Sequence, residues 1–443
     1  MPQQYSAGLL AALIPLVLVL ACAAPVYWLL LLDTAFVMYP GEWQLGGSHL
    51  DASDLCIAGI MLALLIRPAT MRQATRRSIP YVGWWVVLGS LFTLSYVLVP
   101  LNQNYLTGAD NIAYQIYRYC WRPVSYYVLA AALLQDRRKL EVTVLLILVL
   151  ADLSSLEAIR QGYAGWESKG PLFTKNQLGS ALITPTMLAL AVAVYFPRRA
   201  VRRFGALTVL LIARAQVFAG SRGAFVASMV ACAVFALWLV RRGDGFKKMV
   251  QLSAAAAALA MAAIIVQPEL MTRPNIEYLM SASHPGEVDT MQWREQERWP
   301  YFTNIVLQHP WIGVGTDVDI RLDDYANTPH NGYLAAALIH GVPGTLVLLS
   351  FAFIGIWCGW RVGRHGRDAW HQALGAAIAA ALVGLLVHNI VDATFHLPYT
   401  DKLYWILIGS AVMLRRYPSA FATITEVRAP AARAIAWRPQ VAR

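Results

Sequence analysis

The sequence predicts an all-α polytopic membrane protein of about 12 transmembrane helices, with one large, partly helical loop outside the membrane between spans nine and ten. Three observations predict it. Of the 443 residues, 58% are hydrophobic and only 14% are charged, where a soluble domain averages about 25% charged. Apolar runs near the roughly 20 residues needed to cross a bilayer recur along most of the chain, giving a mean hydropathy of +0.49. One polar stretch, Gln267 to Asn331, interrupts them.

The apolar runs fall at 8–38, 51–67, 80–99, 117–134, 140–157, 177–196, 204–219, 221–240, 247–266, 338–360, 372–394 and 401–416. The first is too long for one straight helix, and Pro25 is placed to kink or split it. Charge then sets the topology. Basic residues gather in alternate connections: Arg67/Arg72/Arg76/Arg77, Arg137/Arg138/Lys139, Arg198/Arg199/Arg202/Arg203, Arg241/Arg242/Lys247/Lys248 and Arg361/Arg364/Arg367, then Arg415, Arg416 and the tail arginines. The positive-inside rule assigns all of these to the cytoplasm. The alternation holds only if 8–38 crosses once, which puts both termini inside and segment 267–337 outside. The net charge of +11 is then topology and contact with anionic lipid, not a nucleic-acid surface.

The chain divides into spans one to nine (1–266), a loop subdomain (267–337), spans ten to twelve (338–416) and a basic cytoplasmic tail (417–443). Cys22, Cys56, Cys120, Cys232 and Cys358 lie in or at the ends of spans, so no exported disulfide is implied. The first span lacks a basic leader and runs too long for a cleaved signal, so it is expected to be retained. Within the loop, Asp289 to Gln308 carries Trp293, Arg294, Arg298, Trp299, Phe302, Ile305 and Val306 at mixed i+3/i+4 spacing. That predicts an amphipathic helix at the interface, ended by His309-Pro310 and Gly313-Val-Gly315. A second short helix is predicted from Asn331 to His340, ahead of span ten.

Twelve basic residues remain outside the cytoplasmic connections: Arg118, Arg122, Arg160, Lys169, Lys175, Arg214, Arg222, Arg273, Arg294, Arg298, Arg321 and Lys402. Positive-inside selection disfavours them there, so each needs another reason. Arg214 would lie about 15 Å into span seven, at a cost of roughly 2.5–3.5 kcal/mol. Arg222 sits in Gly220-Ser-Arg-Gly223, at the outer turn between spans seven and eight. Arg118 and Arg122 are four residues apart at the outer end of span four. Two readings stay open. Guanidinium groups facing outward can grip phosphate in a bidentate fashion; alternatively each arginine snorkels to headgroups or pairs with a carboxylate such as Asp152.

His330, in Thr328-Pro-His-Asn-Gly-Tyr333, sits where the loop re-enters the membrane. An imidazole there can accept a proton from a sugar hydroxyl, or simply occupy a loop; Asn331 beside it suits a helix N-cap. His388, Asp392 and His396 at i, i+4 and i+8 would share one helix face, as a wall of a polar pocket or, on weaker grounds, a metal site. His-Glu-x-x-His and Cys-x-x-Cys do not occur. Gly313-Val-Gly315 lacks the strand–helix context of a nucleotide loop.

Four elements, in order, resemble the O-antigen ligase and polymerase superfamily of bacterial envelope glycosyltransferases. They are Phe173-Thr-Lys-Asn-Gln-Leu-Gly179; Ser221-Arg-Gly223; Trp299 followed by His309-Pro-Trp-Ile-Gly-Val-Gly315; and His330-Asn-Gly-Tyr-Leu334 with Gly341-Val-Pro-Gly344. The specific part of the resemblance runs from about Phe173 to Gly344. Members usually carry an arginine about four residues before the loop tryptophan. Here that position is Glu295, with Arg294 before it and Arg298 after it, so both arginines are carried forward.

The resemblance implies an inverting transferase of lipopolysaccharide assembly in the bacterial inner membrane, working at the periplasmic face without metal or cofactor. The donor would be a glycan on undecaprenyl diphosphate and the acceptor a hydroxyl of the lipid A-core oligosaccharide. On this reading His330 is the general base. Arg222, with Arg214 and Arg294 or Arg298, holds the diphosphate, and Lys175, Asn176, Asn331, Tyr333, Arg118 and Arg122 help bind substrates. An O-antigen polymerase or a protein O-oligosaccharyltransferase would use the same donor and differ in acceptor. A lipid or glycan transporter would belong to another class; the sequence shows no internal repeat, and the candidate residues gather on one face, which argues against it.

Overall fold

The computed structural model describes residues 7–23, 25–36, 42–45, 48–67, 79–102, 121–134, 136–164, 168–172, 174–242, 294–314, 329–393 and 398–417. Span nine (247–266), Arg118, Arg273, Arg321, His396 and the tail beyond Tyr417 lie outside these residues. Within them the helices are α1 (Ala7–Ala23), α2 (Tyr27–Ala35), α3 (Ala52–Ile66), α4 (Val82–Asn102), α5 (Arg122–Leu133), α6 (Arg137–Tyr163) and α7 (Lys175–Tyr195). Then come α8 (Arg199–Ala219), α9 (Arg222–Val240), α10 (Trp299–Gln308), α11 (Gly332–His365), α12 (Ala369–His388) and α13 (Pro398–Arg416). Five of them, α6, α7, α9, α11 and α12, are long and apolar enough to cross a membrane. Large apolar side chains such as Leu65, Leu346 and Phe353 are more than half exposed along the helices. Such a surface needs a lipid solvent.

Two features depart from the sequence expectation. The all-α reading misses a short hairpin, β1 (Glu42–Leu45) antiparallel to β2 (Ser48–Asp51), with Leu45 opposite Ser48. Gly46-Gly47 between them is the composition of a two-residue hairpin turn. The first apolar run is also broken at Pro25, with Ala23 ending one helix and Tyr27 opening the next. A Cβ built on Gly59 of α3 would touch both Val17 of α1 and Leu29 of α2. Twelve residues apart on one straight rod would be about 18 Å, so α1 and α2 fold toward the same point of α3. They are not one continuous crossing helix.

Helix α7 is the buried axis, packing on α6, α8, α9 and α12. Small residues allow the close approach, as is usual where helices pack in lipid. At Gly384 of α12 a Cβ would meet Ala231 and the Ala227 carbonyl of α9 and Ile183 of α7, all within 3.0 Å. A separate aromatic knot ties α4, α5, α11 and α13 together. Trp85 stacks on Phe351 at 3.9 Å and lies 4.6 Å from Tyr127 and 4.7 Å from Trp405; such pairs contribute about 0.5–1.5 kcal/mol each beyond area burial.

The loop helix α10 follows a single π-turn, Arg294–Arg298, and stops before His309-Pro310 as the sequence predicts. The predicted short helix at 331–340 and span ten are one element, α11, broken at Gly341 (φ 69°, ψ 176°). The loop clips onto that break. Val342 N–H donates to Pro310 O at 2.8 Å and Val314 N–H to Leu338 O at 2.6 Å. A Cβ at Gly313 would overlap Leu338 O, and one at Gly341 would lie 2.5 Å from Trp311 O. Both glycines have positive φ, so the His-Pro-x-x-Gly-x-Gly stretch and the Gly-Val-Pro-Gly stretch are two halves of one seam.

Candidate functional site at the α12 turn

The site is organised by the turn that follows α12. The regular helix ends at His388, and Asp392 sits in the turn beyond it, where its N–H still donates to His388 O at 3.0 Å, so the i, i+4 pair that the sequence predicts stays together although the helix has ended. Asn389 anchors the turn. Its Nδ2 donates to Leu385 O at 2.8 Å, and its backbone carbonyl accepts from Gly332 N–H at 2.7 Å. A Cβ at Gly332 would overlap Asn389 Oδ1, so only glycine permits this approach.

His330 is held from both sides. On one, Trp299 Nε1 donates to Pro329 O at 3.1 Å. On the other, Asn331 caps α11, its Oδ1 accepting from Tyr333 N–H at 3.0 Å and Leu334 N–H at 3.1 Å. Tyr333 OH donates to Leu386 O at 2.6 Å. Between these clamps His330 adopts φ 46°, a left-handed conformation that costs a non-glycine residue about 1–2 kcal/mol. Its side chain remains 34% exposed, and Nδ1 lies 3.6 Å from Asp392 Oδ1. That is just beyond hydrogen-bond length, and a shift of a few tenths of an ångström closes it.

Asp392 is fixed by accepting from Ala393 N–H at 2.9 Å. Burial pushes its carboxyl upward, but contact with His330, the nearby His388 and this N–H outweigh burial and hold it below the ordinary carboxylate value. The group facing the imidazole is therefore an anion. Sequence reading treated Asp392 only as pocket wall or metal ligand. The pairing joins residues 62 positions apart, and no local spacing signals it.

The other candidates approach the same turn. Arg294 Nη1 donates to Val391 O at 2.8 Å. Arg298 is only 8% exposed; burial first, and the Arg294 charge second, lower its pKa. At Gly223 a Cβ would lie 2.5 Å from Val391 Cγ2 and 3.8 Å from His388 Nε2, so the Ser221-Arg-Gly223 element packs directly against the turn. Arg222 is the first residue of α9. The α7 N-terminus adjoins it: a Cβ at Gly179 would be 3.2 Å from Ser221 Cβ. Lys175, on the Gly179 face one turn nearer the end, and Asn176 open α7 behind the Thr174/Gln177 capping box. The N-termini of α7, α9 and α11 thus meet around one turn. Each carries roughly half a positive charge from its backbone dipole, and Arg222 and Lys175 add whole ones. The arrangement is suited to an anion.

Two predicted binders lie elsewhere. Arg122 is 2% exposed and faces Asp54 Oδ1 at 3.4 Å, which is the carboxylate-paired reading. Arg214 lies five residues from the C-terminal end of α8, about 8 Å from that end rather than 15 Å into the helix. It is bracketed by the rings of Tyr163 (5.6 Å) and Phe218 (4.9 Å) and donates to Tyr163 OH. It is turned toward α6, whereas Arg222 is on the helix that packs against α12. Lys402, also unexplained by topology, donates to Ser53 Oγ beside Tyr126. Among the described residues, no group of three or more His, Cys, Asp or Glu side chains is placed to hold a metal ion.

Residues 207–349 match the model of a family described as O-Antigen ligase. The match runs from α8 through the loop to the middle of α11. It contains Arg214, Arg222, Arg294, Arg298 and His330, and it leaves Lys175 and Asp392 outside. No curated protein matches the chain.

Proposed function

We propose that this protein, whose segment 207–349 matches the O-antigen ligase family model, transfers a glycan from undecaprenyl diphosphate to the lipid A-core oligosaccharide at the periplasmic membrane surface. The match supports a glycosyltransferase-like role in O-antigen processing on lipid-linked glycans. The observation that carries the finer reading is His330, projecting from a strained turn toward an anionic Asp392.

In this mechanism the acceptor hydroxyl loses its proton to His330 Nε2, the nitrogen turned away from Asp392. The hydroxyl oxygen attacks the anomeric carbon as the bond from that carbon to the diphosphate breaks, so configuration inverts. The electron pair leaves on the diphosphate oxygen. Arg222, Arg294, Arg298, Lys175 and the converging helix N-termini offset its charge. Asp392 stabilises the imidazolium that forms, as a positioning residue that does not itself touch substrate. Asn331 and Tyr333 hold His330 in place, and Asn176, in the first turn of α7, would assist in binding substrate. Arg214 and Arg122 have no role in this step.

The test is reconstitution of the purified protein with an undecaprenyl-diphosphate glycan and lipid A-core. Wild type is expected to form glycosylated lipid A-core. His330→Ala should lower the rate by about 10²–10⁴-fold while migrating normally on size exclusion. A lengthened lipid-linked glycan in place of that product would make the acceptor a second donor molecule. Equal rates for wild type and variant would remove His330 as the base.

A further inference from the structure

A cavity of about 660 Å³ lies at the opposite end of the same helices. It is walled by the C-termini of α9 and α11 and the N-terminus of α12. Arg222 and Arg241 bound α9, 19 residues apart, so the cavity is about 28 Å from the α12 turn, near the thickness of a bilayer core. Its lining includes Arg241, Arg242, Arg364, Trp238, Trp360 and Gln372.

Arg241 and Arg242 are held against rings, unlike the freely splayed charges of an ordinary cytoplasmic connection, and Arg364 is exposed beside them. Arg242 lies between the rings of Tyr195 (5.0 Å) and Trp238 (5.3 Å) and donates to Gln372. Arg241 lies 5.8 Å over Trp360. Trp238 itself is pinned, its Nε1 donating to Gly363 O at 2.8 Å. Arg241 and Arg364 have no ion-pair partner, and no carboxylate lines the cavity, among the described residues. The volume falls in the range of small-molecule sites, and basic pockets between helices at this level of a membrane suit lipid phosphates.

We infer that this cavity binds the phosphate headgroup of an anionic phospholipid from the inner leaflet, with Arg241 and Arg364 as the phosphate ligands and the tryptophans against the glycerol and upper acyl region. The ligand is taken from the membrane and not from solution, because the cavity opens at the helix ends between faces that are themselves apolar. Its side of the membrane follows from the positive-inside assignment; its ligand chemistry does not depend on glycosyl transfer.

The full-length protein in neutral detergent would be titrated with cardiolipin, phosphatidylglycerol or phosphatidylcholine and read by native mass spectrometry. Arg241→Gln/Arg364→Gln would be compared with Arg199→Gln/Arg203→Gln, which removes the same charge from exposed sites on the same side. The anionic lipids should bind in preference to phosphatidylcholine, and the cavity pair should weaken them at least about tenfold with the control pair unchanged. Equal loss in both pairs would reduce the effect to leaflet charge and overturn the proposal. Displacement of the lipid by millimolar glycerol phosphate would assign the site to a soluble anion and overturn the lipid identity. If the double variant does not fold, Arg364→Gln alone, at an exposed residue, carries the comparison.

Discussion

Replacing Asp392 by Asn tests the His330 pairing most directly. Asn keeps the size of the side chain and can still accept from Ala393 N–H, so the turn that also anchors Gly332 and Arg294 is preserved. What is lost is a unit charge 3.6 Å from the imidazole. At an effective dielectric constant of about 20 that interaction is roughly 4.6 kcal/mol. His330 is a third exposed, and water there screens the pair, leaving about 2–3 kcal/mol at the transition state. The expected result is a fall in kcat of about 30- to 160-fold, with KM within about twofold, because Asp392 does not touch substrate. Asp392→Glu should recover part of the loss. The assay is initial-rate transfer in proteoliposomes at varied donor concentration. A raised KM with unchanged kcat would refute the reasoning, since it would make Asp392 a substrate-binding wall. Stability gives an independent reading. Because the folded carboxyl is held below its unfolded value, it stabilises the protein above about pH 4 and that contribution is lost as pH falls through the folded value. Thermal unfolding of Asp392→Asn should therefore decline less steeply than that of wild type as pH falls below about 4.

Four further substitutions separate chemistry from architecture. Arg222→Lys should cost at least about tenfold in rate, because an ammonium lacks the bidentate grip, whereas Arg214→Lys, in its aromatic bracket, should stay within about threefold of wild type. Both are read in the same transfer assay. Arg122→Ala should leave Asp54 buried without its charge partner and lower stability by about 3–5 kcal/mol, seen as a large drop in melting temperature; an intact melting temperature with lost donor binding would return Arg122 to the substrate site. Gly341→Ala should destabilise the loop clip by at least about 1–2 kcal/mol from the positive φ alone, with more from the contact to Trp311 O. Limited proteolysis near α10 checks it.

How much of this was legible in the sequence depends on whether a signal was local. The end of α10 was legible because His309-Pro310 interrupts helical hydrogen bonding within one turn. The Asn331 cap was legible because it satisfies N–H groups two and three residues away. The break at Pro25 was legible for the same kind of reason. The hairpin at 42–51 was not read, although Gly46-Gly47 between short alternating segments was available as a signal. The long-range partners Asp54, Tyr163 and Asp392 were not legible, since they lie 68, 51 and 62 positions from Arg122, Arg214 and His330, separations that no spacing rule encodes; Phe218, one turn from Arg214 on the same helix, was within reach of a spacing rule. Positive-inside counting isolated a set of unexplained charges. It could not say which were absorbed by Asp54 or by the rings of Tyr163 and Phe218, and which faced the α12 turn.

The register of the site rests on a seam well below it. Gly355, Gly359 and Gly363 recur every four residues on one face of α11. A Cβ at Gly359 would come within 2.7 Å of Gly375 O and 3.2 Å of Ala379 Cβ on α12, and one at Gly355 within 2.8 Å of Leu382. Helices this close are locked by shape, because any sliding drives a side chain into backbone. A slip of one turn would move α11 by about 5.4 Å along α12. Gly332 would then lose Asn389, and His330 would lose Asp392. The break at Gly341 divides the labour: the lower piece of α11 fixes its register against α12, and the upper piece is aimed by the loop clip and the Asn389 contact. The His330–Asp392 distance is thus set jointly by a glycine seam in the membrane and a glycine seam in the loop. This explains why the glycine-rich stretches beside the His-Asn element carry no chemistry of their own and still cannot be exchanged for larger residues.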